Sequence, residues 1–287
     1  MPHLSTPEAE QLLDKLIPVL DKGHVRLVDW MGGDSRIVSA ARVSYQEGTK
    51  TLRQDEGLIN YLLSHEHTTP FEKVRFEFHV KVPIFIARQW MRHRMGSFNE
   101  LSARYSVMKD EFYVPLPKQF RTQSEQNKQV GEGELSFTDA VDCTKATKQA
   151  CESAYESYEF LLQTGVCREQ ARMVLPVNIY TEFYWTVDLW NLMHFLKLRL
   201  DWHAQKEIRD YAHAIAKCVE AVTPIAYKAF NEYIVSSVKF SKTEQALINE
   251  LLNNSELDVQ AASVDRLGKR AATEFCKKLD RIRTSGN

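Results

Sequence analysis

What this chain lacks narrows what it can be. Its 287 residues hold five cysteines, Cys143, Cys151, Cys167, Cys218 and Cys276, odd in number, scattered and without a CxxC pair. That pattern argues for reduced thiols and against a disulfide framework or a zinc site. No run approaches the roughly 18 apolar residues of a membrane span, and Met1 to Leu20 is acidic and helical in pattern rather than a signal peptide, so a cytoplasmic location is expected. Neither sign of charge dominates: Lys+Arg 37 against Asp+Glu 38 leaves a formal charge of -1. A broad nucleic-acid-binding face usually needs more positive charge than that. GxSxG, GxGxxG after a strand and the phosphate-binding GxxxxGK[ST] loop are all missing, so the common hydrolase, dinucleotide-binding and nucleotide-triphosphatase readings have no support. His65-Glu66-His67 offers two histidines but no third ligand, and no metal is expected.

Against this neutral background one stretch stands out. Arg92-His93-Arg94-Met95-Gly96-Ser97-Phe98-Asn99-Glu100-Leu101-Ser102-Ala103-Arg104-Tyr105 concentrates three arginines, a histidine, a glutamate and three hydroxyls in fourteen residues. Guanidinium groups are forked donors suited to phosphate and to planar acceptors such as a pyrimidine edge. Ser97, Asn99 and Ser102 add short polar side chains beside Gly96, which reads as a source of flexibility. The stretch is therefore expected to be a loop that holds an anion.

With 44% hydrophobic residues the chain can bury a sizeable core, and it shows no internal repeat. Ser5-Thr6-Pro7 followed by Leu12, Leu13, Leu16, Ile17 and Leu20 reads as a capped amphipathic helix ending at Gly23, with a strand from His24 to Met31. Helices are expected from near Asp34 and over Asp55 to Leu63. Lys73 to Val82 is the clearest strand, with Val74, Phe76, Phe78, Val80 and Val82 alternating against Lys73, Arg75, Glu77, His79 and Lys81. Pro83 fits the first turn of a helix from Ile84 to about Met91, so the arginine-rich loop leaves a short helix linked to that strand. Glu111 to Val114 reads as an edge strand and Thr122 to Ser136 as a mobile loop. Beyond it the pattern is mostly helical: Asp139 to Gln163 ending at Gly165, Arg168 to Leu175 ending at Pro176, Leu189 to Leu200, and Ala204 to Val222, with Pro224 as a break. From Ser241 onward the chain is charged and helix-prone without a strong apolar stripe, as in a peripheral extension.

The helix from Leu189 carries a second clue. At helical spacing Leu189, Leu192, Met193, Leu196 and Leu200 share one face, while Asp188, Asn191 and Arg199 share an opposing sector with His194 at its margin. Charged residues usually lie on a solvated face. Here Arg199-Leu200-Asp201-Trp202-His203-Ala204-Gln205 concentrates hydrogen-bonding groups at one helix end, which favours a functional role.

Arg92-His93-Arg94 followed after seven residues by Ser102, extended through Asn99 to Tyr105, resembles the signature of the flavin-dependent thymidylate synthases. The resemblance is reinforced in family order by His67-Thr68-Thr69-Pro70-Phe71-Glu72, Ala87-Arg88-Gln89-Trp90, Arg172-Met173-Val174-Leu175-Pro176 and Leu198-Arg199-Leu200-Asp201 with His203-Ala204-Gln205. It covers about Lys22 to Tyr233. What it implies is an α+β subunit with a mixed or antiparallel sheet core flanked by helices, assembled as a homotetramer with active sites at subunit interfaces. It also implies conversion of dUMP to dTMP, with methylenetetrahydrofolate as carbon donor and FAD, reduced by NADPH, supplying the hydride.

By the same resemblance Arg199 is the catalytic residue that activates the pyrimidine near N3. Gln89, Trp90, Met91, Arg92, Glu100, Leu101, Ser102, Ala103, Arg104 and Arg172 join it in binding dUMP. Thr69, Arg92, His93, Arg94 and Glu100 contact FAD, with Asp188, Leu189, Trp190 and His194 in a patch where relatives often carry amide or basic side chains. With no base evident beside it in sequence, Ser102 is expected to orient substrate rather than attack it. The expected organisation is an N-terminal helical extension over 1–23, a catalytic domain over 24–235 and a charged helical extension over 236–287. Small-molecule substrates are the expected partners, with neither nucleic acid nor membrane. The competing reading is a non-catalytic module that binds a nucleotide or RNA through Arg92 to Arg104, with Phe98 and Tyr105 as stacking surfaces.

Overall fold

Strands of alternating burial build the scaffold. The structure, a computed structural model, describes residues 5–43, 52–125, 128, 131–253, 258–267 and 269–284. It separates into two units, Met1–Ile234 and Val235–Asn287. In the first, α1 (Pro7–Leu12) and β1 (Leu16–Val19) lead into β2 (Gly23–Met31), α2 (Asp34–Arg42) and α3 (Leu52–Ser64). Next come β3 (Arg75–Pro83), α4 (Ile84–Trp90), β4 (Ser97–Glu100) and a small hairpin of β5 (Thr122–Gln123) with β6 (Gly131–Glu132). The rest is α5 (Phe137–Gln163), α6 (Arg168–Ala171), β7 (Tyr180–Asp188), α7 (Leu189–Arg199), α8 (Lys206–Val222) and α9 (Pro224–Phe230).

Five strands form an antiparallel sheet in the order β1-β2-β3-β7-β4. On β3, Phe76, Phe78, Val80 and Val82 are buried, and β7 presents Thr181, Phe183, Trp185 and Val187 to the same side. This is the period-2 rule applied to two neighbouring strands. Trp90 of α4 sits in the centre of the covered face, with ring centroids 5.5 Å from Phe183, 5.4 Å from Trp185, 4.8 Å from Phe195 and 5.8 Å from Tyr211. Burying each such side chain contributes roughly 1.5–3 kcal/mol. The opposite face is polar: His79 lies 3.2 Å from Glu182 and stacks on Tyr184, whose hydroxyl accepts from Arg26 at 3.1 Å.

A second cluster holds the segment that follows the arginine-rich stretch. Met108, Phe112, Cys151, Tyr158, Ala171 and Ile179 pack together with Ala103 at their margin. The Met108 N–H donates to the Tyr158 hydroxyl at 3.1 Å, and the Tyr155 hydroxyl donates to the Met108 carbonyl at 3.0 Å. The Ser136 Oγ starts α5 by accepting the Asp139 N–H at 3.1 Å. Gly165, at φ 92, ends it: its N–H bonds the Leu162 carbonyl while that of Val166 bonds Leu161.

Several expectations change. The helix read from Ser5 to Leu20 stops at Leu12, and Leu16–Val19 is an edge strand. Pro18 explains this, since it would break a helix interior yet is tolerated at a sheet edge. Pro83 closes β3 and caps α4 in extended geometry rather than entering the helix. The Glu111 to Val114 edge strand reduces to one bridge, Phe112 to Ile179. The expected loop over 122–136 contains the β5–β6 hairpin; residues 126, 127, 129 and 130 of it lie outside the described residues. Strands β4 and β7 were not expected at all.

The second unit contains α10 (Lys242–Asn253), α11 (Val259–Leu267) and α12 (Lys269–Thr284). Leu247, Ala272 and Phe275 are buried, so α12 does carry an apolar stripe, set by the i, i+3 pair Ala272 and Phe275. Among the described residues no helix is long and apolar enough to cross a membrane.

Candidate active site

The C-terminal end of α7 meets the C-terminal end of α4. Asp188 caps α7, its carboxylate accepting from the Asn191 N–H at 3.0 Å and from the Asn191 amide at 2.8 Å. Leu189, Leu192, Met193, Phe195 and Leu196 are then buried against the sheet and α8, which turns Asn191, His194, Leu198 and Arg199 toward a cavity. That cavity is about 590 Å³, and its remaining walls are Arg92, His93, Arg94, Met95, Trp185 and Val187. The polar stripe of α7 is thus a cavity wall.

Arg199 is fixed from two sides. Its Nε donates to His93 Nε2 at 3.0 Å, and its Nη2 donates to the Gln89 carbonyl at 3.3 Å. The latter is one of the carbonyls that a helix end leaves without an internal partner. Burial lowers the Arg199 pKa from its ordinary value, and a guanidinium remains charged despite that. Burial pushes His93 down to about 4, with the positive Arg199 and then His194 adding to the effect. His93 is therefore neutral at physiological pH.

A second group of expected residues lies along the sheet edge. Glu100 accepts from the Thr181 hydroxyl at 2.8 Å, and the Leu101 N–H donates to the Glu182 carbonyl at 2.8 Å. Ser102 Oγ accepts the Arg104 N–H at 3.3 Å, and no side-chain base is bonded to it among the described residues. Arg168 donates to the Tyr105 carbonyl at 2.8 Å, while Arg104 and Glu169 form an exposed ion pair at 3.2 Å. Arg172 opens the next turn and is exposed. Among the described residues no hydrogen bond or ion pair joins this edge group to Arg199.

The other expected residues have varied surroundings. The Trp90 and Leu189 side chains are fully buried in the core. Gln89 donates from Nε2 to Gln205 at 2.5 Å, and Met91 is half-buried. Thr69 is exposed in the turn before Phe71, whose ring lies 6.4 Å from that of Trp190. The Asp188 carboxylate is engaged in capping its own helix.

Gly96 is not the flexible point it was read to be. A Cβ there would lie 2.6 Å from Trp185 Nε1 and 3.0 Å from the Thr186 carbonyl, so glycine is needed for the close approach of the chain to β7. Met95, Trp185, Val187, Asn191 and Leu198 complete the cavity; Met95 lies in the arginine-rich stretch and Asn191 in the polar stripe of α7, whereas Trp185 and Val187 come from β7, which the sequence does not announce. A second cavity of about 420 Å³ includes Arg121, Trp202, His203, Gln205, Lys206 and Arg209 among its walls. Gln205, in its wall, accepts from Gln89 of α4.

Residues 26–225 match the family described as thymidylate synthase complementing protein. The chain is 54% identical over 254 residues to a flavin-dependent thymidylate synthase of Thermus thermophilus, covering 88% of this chain and 92% of the relative. It is 48% identical over 277 residues to one from Ehrlichia ruminantium, covering 96% and 92%. Among solved structures it is similar to a UMP/dUMP methylase from Streptomyces cacaoi bound with 5-Br dUMP, at TM-score 0.70 and 34% identity, covering 76% of this chain and 99% of that one.

Proposed function

The chain belongs to the flavin-dependent thymidylate synthase family, and from that premise we propose how its residues divide the work of converting dUMP to dTMP. The enzyme is a methyltransferase that uses FAD, with methylenetetrahydrofolate as carbon donor and NADPH as reductant. The observation that carries the assignment is the guanidinium of Arg199, held between the α4 carbonyl and His93 at the wall of a cavity that also presents Arg92 and Arg94.

That cavity fits a flavin nucleotide chemically. Arg92 and Arg94 supply cationic donors for a diphosphate, while Met95, Trp185, Val187 and Leu198 supply an apolar wall for a flat ring system. When bound, the reduced flavin supplies the hydride that completes the methyl group. Arg92, His93, Arg94 and His194 would hold it from the cavity wall, with Thr69, Glu100 and Trp190 and the backbone of Asp188 and Leu189 completing the FAD site.

Arg199 stabilises the negative charge that develops on N3, O2 and O4 of the pyrimidine, and as a permanent cation it needs no proton transfer to do so. Arg92, Arg104 and Arg172 bind the phosphate with loop amides from residues 101–104. Ser102 orients the substrate. Gln89, Met91 and Glu100 complete the dUMP site, and Trp90 contributes through its backbone.

The active enzyme is a cytoplasmic homotetramer. Support for assembly comes from the separation of the site into two groups: a second copy that brings its Glu100–Arg104 and Arg172 against the Arg199 cavity of the first would complete it. Nothing favours the RNA-binding alternative. Purified protein should be yellow and should form dTMP from dUMP, methylenetetrahydrofolate and NADPH, with a solution mass four times that of the chain. A colourless protein that binds no FAD and makes no dTMP overturns the reading, and a monomeric active enzyme overturns the assembly.

A further inference from the structure

Arg199 can work on a pyrimidine only if its guanidinium plane is set. A guanidinium is a rigid planar fork, so two fixed N–H directions determine where the others point. One is the bond from Nη2 to the Gln89 carbonyl, and alone it leaves the group free to pivot. The second is the bond from Nε to His93 Nε2. We propose that His93 is a positioning residue for Arg199, accepting the Nε proton on an unprotonated Nε2 and so aiming the remaining guanidinium donors into the cavity. The proposal rests on the role assigned to Arg199 above.

The histidine is itself well held. Its backbone N–H donates to the Trp90 carbonyl at 3.0 Å, and its ring meets Phe195 edge-on at 5.0 Å. His194 lies 5.9 Å away, ring to ring. The titratable groups around it are all potential cations: Arg92 and Arg94 from its own segment, and His194 and Arg199 from α7. An imidazolium there would repel Arg199 and could offer it no lone pair. Neutrality is thus a condition of the contact, and an acceptor at Nε2 places the single ring proton on Nδ1.

The unliganded protein, labelled with ¹⁵N-histidine, tests this directly, with His93→Gln identifying the signal. His93 should show a pyridine-like Nε2 and a pyrrole-like Nδ1 that do not change between pH 8 and pH 5. In Arg199→Ala the same ring should titrate at higher pH, because a neighbouring positive charge has gone. An Nε2–H tautomer, or the same titration in both proteins, overturns the proposal. With FAD held saturating, His93→Phe should lower dTMP formation on the order of 100-fold, in kcat rather than in KM for dUMP. His93→Gln, whose Oε1 can accept, should return most of it; equal losses in the two variants overturn the proposal. Absence of dTMP synthesis by the unaltered protein would instead count against the functional reading and leave the tautomer measurement standing.

Discussion

The α7 wall and the β4 edge carry residues of one proposed site but are built in opposite ways. On α7, five buried apolar side chains and an Asp188 cap lock the helix, so Asn191, His194 and Arg199 are presented by a rigid body. On β4 and the residues after it, Ser97, Asn99, Glu100, Leu101 and Arg104 are exposed, and only Phe98 and Ala103 reach toward the core. A rigid element positions a charge that must act on a reacting ring, whereas an exposed edge can be completed by what docks on it. In the proposed division of labour the chemistry sits on the first and the recognition of dUMP on the second.

The sharpest way to break this comparison is to remove the charge from the rigid side. Arg199→Ala should lower dTMP formation by about 10²–10³ or more while flavin absorbance is retained; equal loss of FAD would move Arg199 from the base to the cofactor. Gly96→Ala tests the junction between the two regions. Its methyl group collides with Trp185 and the β7 backbone, and an overpacked contact of this kind costs about 1–3 kcal/mol, visible as a lower melting temperature. Unchanged stability would show that β4 can shift freely.

Arg92→Ala should weaken both ligands about tenfold each, near 1.4 kcal/mol, in separate titrations of FAD and dUMP. Loss of one alone would assign Arg92 to a single ligand. Stability should also depend on pH. His93 is pushed from 6.5 to about 4 in the folded protein, so between those values the unfolded chain binds more protons. Its contribution to stability is complete above about pH 6.5 and is lost as pH falls toward 4; His93→Gln should flatten that part of the stability curve. The smallest effect should be that of Arg104→Ala on stability, below about 1 kcal/mol, because its partner Glu169 is exposed like itself. Its dUMP affinity should fall nonetheless, and a variant with full affinity would remove Arg104 from the phosphate site.

Sequence made β3 legible because charged residues on one side contrast with Phe and Val on the other. β7 was not, since its outer residues Tyr184 and Thr186 blur that contrast, and the stretch between Pro176 and Leu189 carries no assignment from sequence. β4 is four residues, three of them polar, and exists because β7 offers it a ladder. Pairing of that kind is non-local and leaves no mark in a short window. The Arg92–Tyr105 stretch and Arg199 were readable as chemistry, yet their separation into a fixed group and an edge group was not. The bond between His93 and Arg199 joins residues 106 apart in the chain, and nothing in either local segment announces it.

Trp185 gives the site a further property. It lies in the cavity wall beneath Gly96, buried and, among the described residues, with no hydrogen-bond partner for its indole nitrogen, and Trp90 lies 5.4 Å from it. A flavin bound there, as proposed, would accept excitation from both indoles, so loading of the cavity would be read as partial quenching of the protein's tryptophan fluorescence.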